Sequence, residues 1–490
     1  MRTSGILMPV SSLPSPYGIG SLGAEAYRFV DFLAAAGQRY WQILPIGPTG
    51  YGDSPYQSFS AFAANPYFID LDALEQRGLL THDEIARFDF GPDAPEGIDY
   101  GALFRTRFAV LELAVRRFDA GEDAFRDFCA ANAFWLDDYA LFMALKAENG
   151  MRAFSLWPKD VRARRPAALA AARARLAGQV RFWQVVQYLF YEQWAALKAY
   201  ANAKGVEFIG DIPIYVSPDS SDLWADPSLF QVDADGALTE VAGPPDAFAA
   251  DGQLWGNPLY NWDVHLKTGC AWWIRRLRHA SAVYDVVRID HFRGFESYYA
   301  IPARDKTAVN GVWRKGPGTA FIDVIRRKLP DVRIIAEDLG YLTDDVKALL
   351  RASGFPGMKV LQFAFDSREE SDYLPHNYTQ NSVVYTGTHD NTTTADWELS
   401  APAGDVAFAR RYLDVDGGAD FTRRFIRAAL ASVSDTAVIP MPDWLGLGAE
   451  ARINTPSTLG GNWLWRMGPA ALTDALAADI LALTKLYGRC

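Results

Sequence analysis

The chain has 490 residues, of which 50% are hydrophobic and 22% are charged, as in a globular protein with a sizeable core. Its net charge of −11 and its pI of about 5.2 argue against nucleic acid or anionic membrane as the main partner, because both select clustered positive charge. The three cysteines show no metal-ligand spacing, and we find no signal peptide or membrane-spanning stretch, so we expect a cytoplasmic protein.

Short β-type runs alternate with helical patterns along most of the chain, which predicts parallel βα units. Eight runs have the character of buried strands, at residues 5–8, 40–44, 207–212, 286–289, 333–336, 359–363, 383–386 and 437–439. Helical patterns at 25–36 and 472–486 follow the first and the last of them. Eight is the number of parallel strands that closes a barrel. The predicted fold is therefore an α/β protein, a (β/α)8 TIM barrel with large insertions.

Two of the connections between predicted strands are too long for a single crossover helix. Residues 47–205 contain a Gly/Pro-rich loop and then helical patterns, which we interpret as a mostly helical insertion subdomain after the second strand. Residues 216–262, rich in Pro, Asp, Gly and Trp, are interpreted as a second insertion, a lid or groove after the third strand. The barrel then consists of residues 1–46, 206–215 and 263–490, and its active site is expected where loops follow the strands.

Acidic residues stand at the ends of four predicted strands. Asp211, Asp290, Glu337 and Asp390 follow strands three, four, five and seven, whose C-terminal ends converge on one pocket of a barrel. A single acid in such a place is often an ordinary helix cap. Four together repel one another, so the cluster is costly unless the protein uses it. The pattern predicts a catalytic site.

Paired carboxylates are typical of retaining glycoside chemistry. One attacks the anomeric carbon and the other protonates the leaving oxygen, at a separation of about 5 Å. Arg288 and Asp290 lie two residues apart in a strand and so share a face, where the guanidinium favours an ionised nucleophile. Glu337, surrounded by other anions, is suited to hold a proton and act as the acid.

Histidines flank two of the aspartates. His389, beside Asp390, is expected to donate to a sugar hydroxyl, whereas His291 is expected to line the pocket wall. A metal site built from these residues is the weaker alternative, because the sequence has no HExxH-type or repeated His spacing.

The loop at 243–262 carries Trp255, Tyr260 and Trp262 among glycines and prolines. Exposed aromatic rings stack on sugar faces, and Asn257 or Asp246 could bind sugar hydroxyls. A lid of this kind would also keep water from a reactive intermediate. The alternative is that the same rings anchor the loop to the barrel.

Motifs along the whole chain resemble, in order, those of the 4-alpha-glucanotransferases (amylomaltases or disproportionating enzymes) of the alpha-amylase-like clan of retaining glycosidases. They are SSLPSPYGIGSLG, QILPIGPTGYGDSPYQSFSAFAANPYFIDL, GDIPIYV, LWGNPLY, RIDHFRGFE, AEDLG, THDN and GNWLWR. One short motif alone would be weak, but the ordered set is highly specific.

The resemblance implies Asp290 as nucleophile, Glu337 as general acid/base and Asp390 as the third carboxylate, which holds the distorted donor sugar. It implies substrate-binding positions at Arg288, His389, Asp211, Tyr56, Asp246, Trp255 and Asn257. Ala247 departs from the pattern, because some members carry Tyr there, so stacking at that place is expected to differ. The resemblance implies no metal and no organic cofactor.

The activity implied by the resemblance is transfer of α-1,4-glucan segments to the 4-hydroxyl of an acceptor by a retaining double displacement. Expected partners are α-1,4-glucans and maltooligosaccharides, with glucose as acceptor, no nucleic acid and no membrane, in a monomer or weak homo-oligomer. Two alternatives stay open from the residues alone. A retaining α-1,4-glucan hydrolase would use the same carboxylates, and a catalytically inactive glucan-binding scaffold would bind without turnover.

Overall fold

The computed structural model describes residues 2–50, 52–245, 251–340, 342–415 and 420–490. The strands in these ranges are β1 (Thr3–Leu7), β2 (Tyr40–Gln42), β3 (Glu207–Ile212), β4 (Glu240–Ala242), β5 (Val286–Ile289), β6 (Ser297–Pro302), β7 (Val312–Lys315), β8 (Ile334–Ala336), β9 (Gly357–Val360), β10 (Ser382–Tyr385) and β11 (Thr436–Pro440). Eight of them close into a parallel barrel in the order β1–β2–β3–β5–β8–β9–β10–β11. The predicted (β/α)8 fold is confirmed.

All eight predicted strands overlap barrel strands. The sixth begins two residues earlier than predicted, and it ends at Val360 because residues Leu361–Phe363 form a 3-10 turn. The sequence did not predict the antiparallel sheet β4–β6–β7. Every residue of β7 is exposed, so this strand lacks the apolar alternation that identifies a half-buried strand.

The register of the barrel brings the candidate site together. Asp211 on β3 is the lateral partner of Arg288 on β5, so both side chains enter the barrel at one level. Ile289 on β5 is likewise the partner of Ala336 on β8. The residues that follow each of these two, Asp290 and Glu337, therefore leave adjacent strands at the same height.

Helices surround the barrel and fill the long connection between β2 and β3. Their bounds are α1 (Ala24–Ala35), α2 (Leu71–Gln76), α3 (His82–Ile85), α4 (Tyr100–Arg117), α5 (Asp123–Glu148), α6 (Lys159–Arg162), α7 (Pro166–Arg175), α8 (Ala177–Ala203), α9 (Ser221–Ala225), α10 (Trp262–Lys267), α11 (Ala271–Val283), α12 (Gly318–Lys328), α13 (Asp344–Ser353), α14 (Thr394–Ser400), α15 (Ala403–Tyr412), α16 (Phe421–Ala431), α17 (Met441–Trp444) and α18 (Asp474–Leu486). Division of the chain at 47–205 and 216–262 into separate units stays a prediction. No helix in the described residues is both long and apolar enough to cross a membrane.

An ion pair with a buried lysine joins the helices after β2 to the loop after β3. Lys146 on α5 is 1% exposed, and its Nζ lies 2.5 Å from Oδ2 of Asp219. The other carboxylate oxygen of Asp219 accepts a hydrogen bond from the backbone N–H of Phe154. Lys146 also lies 4.8 Å from the ring centre of Phe59, in the loop after β2. One cation thus connects α5 with the loop after β3 and the loop after β2.

Candidate active site

A layer of charged side chains lies at the C-terminal end of β3 and β5. Arg288 donates to Oδ2 of Asp211 and lies 3.2 Å from Oδ1 of Asp290. The hydroxyl of Tyr56, from the loop after β2, donates to the same oxygen of Asp211 at 2.7 Å. Burial lowers the pKa of the Arg288 guanidinium, but the two carboxylates outweigh burial and raise it well above its usual value. Arg288 is therefore a fixed cation beneath Asp290.

Asp290 behaves differently from the sequence-based expectation in one respect. Arg288 favours its ionised form, as predicted, but burial is the larger effect and raises the pKa of Asp290 to about 6. Asp211 and Asp390 raise the pKa further, because they are like charges. The strand spacing predicted that the guanidinium of Arg288 lies beside the carboxylate of Asp290. It could not predict how deeply the two groups are buried. The carboxylate remains mostly ionised at neutral pH.

Glu337 follows β8 and is 8% exposed. Burial, and then the charge of Asp290, raise its pKa to about 8, although Arg288 and two backbone N–H groups oppose the shift. Those groups belong to His291 and Leu339, which donate to its two oxygens at 2.6 and 2.7 Å. The carboxyl is thus held against the loop that carries Asp290. Two neighbouring carboxyls whose pKa values differ are suited to act as a nucleophile and a general acid.

Asp390 lies in the loop after β10, and its side chain is 46% exposed. Partial desolvation opposes its ionisation, but His389 at 3.3 Å and Asn454 at 2.6 Å together lower the pKa of Asp390 to about 2. His389 itself is 3% exposed, and Asp390 raises its pKa against the effect of burial. Its ring stacks on that of Tyr56, with centres 5.2 Å apart. The predicted Asp390, His389 and Tyr56 therefore belong to the same cluster as Asp211 and its neighbours.

The aromatic residues of the loop after β4 differ in their burial and in their contacts. Trp255 is half-buried and sets its ring 4.8 Å from that of His291, and a place for His291 in the pocket wall stays a prediction. Tyr260 is 1% exposed and packs on Trp272 and Trp273, so this ring anchors the loop and the stacking interpretation is wrong for it.

Two other positions in this loop were predicted to bind substrate. The side-chain amide of Asn257 is 5% exposed, accepts from Gln57 and donates to the carbonyl of Val216. It links the loops after β2, β3 and β4, and direct sugar binding by it stays a prediction. Asp246, together with Ala247, lies outside the described residues.

Two residues of the cluster were missed by sequence reasoning. Asn454 binds Asp390 directly, and Trp463 sets its ring 6.1 Å from His389 and 5.9 Å from Tyr56. Trp463 stands in the GNWLWR motif, which was a usable signal. Asn454 stands in an irregular segment far along the chain from Asp390, and no spacing rule connects the two. Among the described residues, no group of three His, Cys, Asp or Glu side chains is placed to hold a metal ion.

Comparison with known proteins decides to which family this site belongs. The sequence profile of the 4-alpha-glucanotransferases matches residues 8–472, which is nearly the whole chain. The chain belongs to the 4-alpha-glucanotransferase family.

Two relatives and one solved structure extend this result. The enzyme is 49% identical to the 4-alpha-glucanotransferase of Streptococcus pneumoniae serotype 4, over 100% of this chain and 97% of the relative. It is 47% identical to that of Thermus thermophilus, over 100% and 99% of the two chains. It is also similar to the amylomaltase from Streptococcus agalactiae in complex with acarbose, with a TM-score of 0.97, 44% identity and full coverage of both chains. Its activity is 4-alpha-glucan transfer, and neither the hydrolase nor the inactive scaffold is favoured.

Replacement of Arg288, the cation between Asp211 and Asp290, is expected to lower the stability of the fold. Arg288→Met leaves the fully buried carboxylate of Asp211 without its counter-charge, which is expected to cost about 3–5 kcal/mol of unfolding free energy. The double variant Arg288→Met/Asp211→Asn is expected to regain much of that stability while remaining inactive, because Asp290 still lacks its guanidinium. Chemical denaturation and maltotriose turnover of both variants check this. Equal unfolding free energies in the single and double variants would contradict it.

Proposed function

We propose that the enzyme transfers α-1,4-glucan segments by a double displacement in which Asp290 is the nucleophile and Glu337 the general acid/base. The observation that carries the proposal is the pair of carboxyls at the ends of adjacent strands, with both pKa values raised and that of Glu337 the higher. Asp290 is then ionised while Glu337 still holds its proton. This is the protonation state that the first chemical step requires.

In the first step Asp290 forms a bond to the anomeric carbon while Glu337 gives its proton to the departing glycosidic oxygen. The reducing-end fragment leaves, and a glycosyl-enzyme ester remains. In the second step the ionised Glu337 takes the proton of an acceptor 4-hydroxyl, whose oxygen attacks the anomeric carbon and displaces Asp290. Two inversions at one carbon retain the α configuration.

The remaining residues bind the donor sugar or hold the reacting carboxylates in place. Asp390 is ionised and partly exposed at the mouth of the site, so it can accept hydrogen bonds from sugar hydroxyls while His389 donates to them. Arg288 and Asp211 fix the position of Asp290. Burial and Asp211 raise the pKa of Tyr56 well above its usual value, so its hydroxyl remains a donor. Asp246, Trp255 and Asn257 are proposed to line the glucan groove.

The substrates are proposed to be α-1,4-glucans and maltooligosaccharides, with glucose among the acceptors, in a cytoplasmic enzyme that is a monomer or weak homo-oligomer. The acarbose bound to the relative from Streptococcus agalactiae supports an oligosaccharide site here. Incubation of the purified protein with maltotriose and EDTA, followed by chromatography, tests the proposal. A ladder of longer maltooligosaccharides plus glucose is expected. Release of maltose and glucose alone would instead indicate hydrolysis, and no change at all an inactive scaffold.

A further inference from the structure

A buried carboxylate outside the reacting layer binds both ends of the loop that carries His389 and Asp390. Asp443 lies in α17, directly after β11, and is 3% exposed. Its Oδ2 accepts from the hydroxyl of Thr386 at 2.6 Å and from the hydroxyl of Thr394 at 2.7 Å. Its Oδ1 accepts from the backbone N–H of Thr394, also at 2.7 Å.

These two threonines mark the limits of the loop. Thr386 is the first residue after β10, and Thr394 is the first residue of α14. Both are fully buried. The residues between them, 387–393, include the two donor-sugar residues near the middle. A contact at each end shortens the part of the loop that can move and fixes where α14 begins.

We infer that Asp443 is a positioning residue for the transfer reaction, which sets the place of His389 and Asp390 by holding the two ends of their loop. The inference rests on the proposed role of Asp390 in binding the donor sugar. Asn454 holds the carboxylate of Asp390 directly, whereas Asp443 holds the two ends of the loop, so the two contacts fix different parts of this segment. Buried polar groups need hydrogen-bond partners, and the carboxylate of Asp443 supplies them for two hydroxyls and one N–H.

Asp443→Ala removes all three contacts and is expected to reduce kcat for maltotriose roughly 100-fold, because small displacements of a substrate-positioning group have effects of that size. The donor KM is expected to rise several-fold, while the KM for glucose as acceptor stays the same. Asp443→Asn is expected to recover much of kcat, because an amide can accept from the N–H of Thr394 and donate to both hydroxyls. A purely structural role would lower the folded fraction and leave both KM values unchanged.

The matched control is Asp70→Ala. Asp70 is also a buried carboxylate, 5% exposed, that accepts from the Ser21 hydroxyl at 2.8 Å and the Ala73 N–H at 2.9 Å, at the start of α2. Its loss is expected to lower Tm without changing kcat or either KM at temperatures where the protein is folded.

Several outcomes overturn the inference. Asp443→Ala with kcat and donor KM within about twofold of the unmodified enzyme would do so, as would an equal loss in Asp443→Ala and Asp443→Asn. If Asp443→Ala does not fold, the double variant Thr386→Val/Thr394→Val decides in the same assay, and normal kinetics there overturn the inference. Asp390→Asn distinguishes this failure from that of the proposed function: an active Asp390→Asn enzyme contradicts the role of Asp390 itself.

Discussion

Asp290→Asn is expected to lower kcat for maltotriose by at least about 10⁴-fold, because loss of a nucleophile removes the covalent route altogether. The amide has nearly the volume of the carboxylate and can still accept from Arg288. The fold is therefore expected to survive, with unchanged circular dichroism and a Tm close to that of the unmodified enzyme. Chromatography of maltotriose products over long incubations measures the residual rate.

The matched control for this variant lies at the other end of the same strand. Asp285 immediately precedes β5 and accepts from the backbone N–H of Phe208 at 2.8 Å. Asp285→Asn makes the same chemical change at the N-terminal face of the barrel, where residues serve stability. It is expected to keep near-normal turnover. If Asp290→Asn also kept near-normal transfer, the assignment of the nucleophile would be wrong.

Glu337→Gln is expected to lower kcat/KM about 10²- to 10⁴-fold and to change its dependence on pH. In the unmodified enzyme, activity is expected to fall below about pH 6, where Asp290 takes up a proton, and above about pH 8, where Glu337 has lost its proton. The two midpoints belong to the interacting pair. Because glutamine does not titrate, the alkaline decline is expected to disappear in the variant.

A donor with a fluoride leaving group separates the two steps. Fluoride departs without needing a proton, so a glycosyl fluoride is expected to restore the first step in Glu337→Gln. The second step still lacks a base, and the glycosyl-enzyme is expected to accumulate to a level visible by mass spectrometry. Failure of the activated donor to improve the rate would show that Glu337 is not the general acid.

The barrel was predictable because its strands are short, apolar and separated by helical patterns. Segments such as Val286–Ile289 are buried at every position, so their composition alone identifies them. The strand register then places Asp290 beside Glu337, as expected for acids that follow adjacent strands. The sheet β4–β6–β7 escaped prediction because β7 is stabilised by pairing with β6, and this contact leaves no apolar pattern in the sequence.

The pKa values of the site residues were less predictable from the sequence than the identity of those residues. The contact between Arg288 and Asp290 followed from strand spacing, but the net direction of the Asp290 pKa depends on burial, which only the folded chain shows. The contacts of Asn454 and Asp443 also could not be predicted from the sequence. Each reaches the Asp390 loop from a distant part of the sequence, through contacts that have no local signature.

The contacts of Lys146 limit how independently the segments around it can change. A single buried ammonium connects α5, the loop after β3 and the ring of Phe59, three residues after Tyr56. A shift of α5 is therefore transmitted to the segment that carries Tyr56. A replacement of the segment that contains α5 has to supply a cation for Asp219, or that carboxylate is left without its counter-charge. The position of α5 and the position of Tyr56 are in this sense coupled.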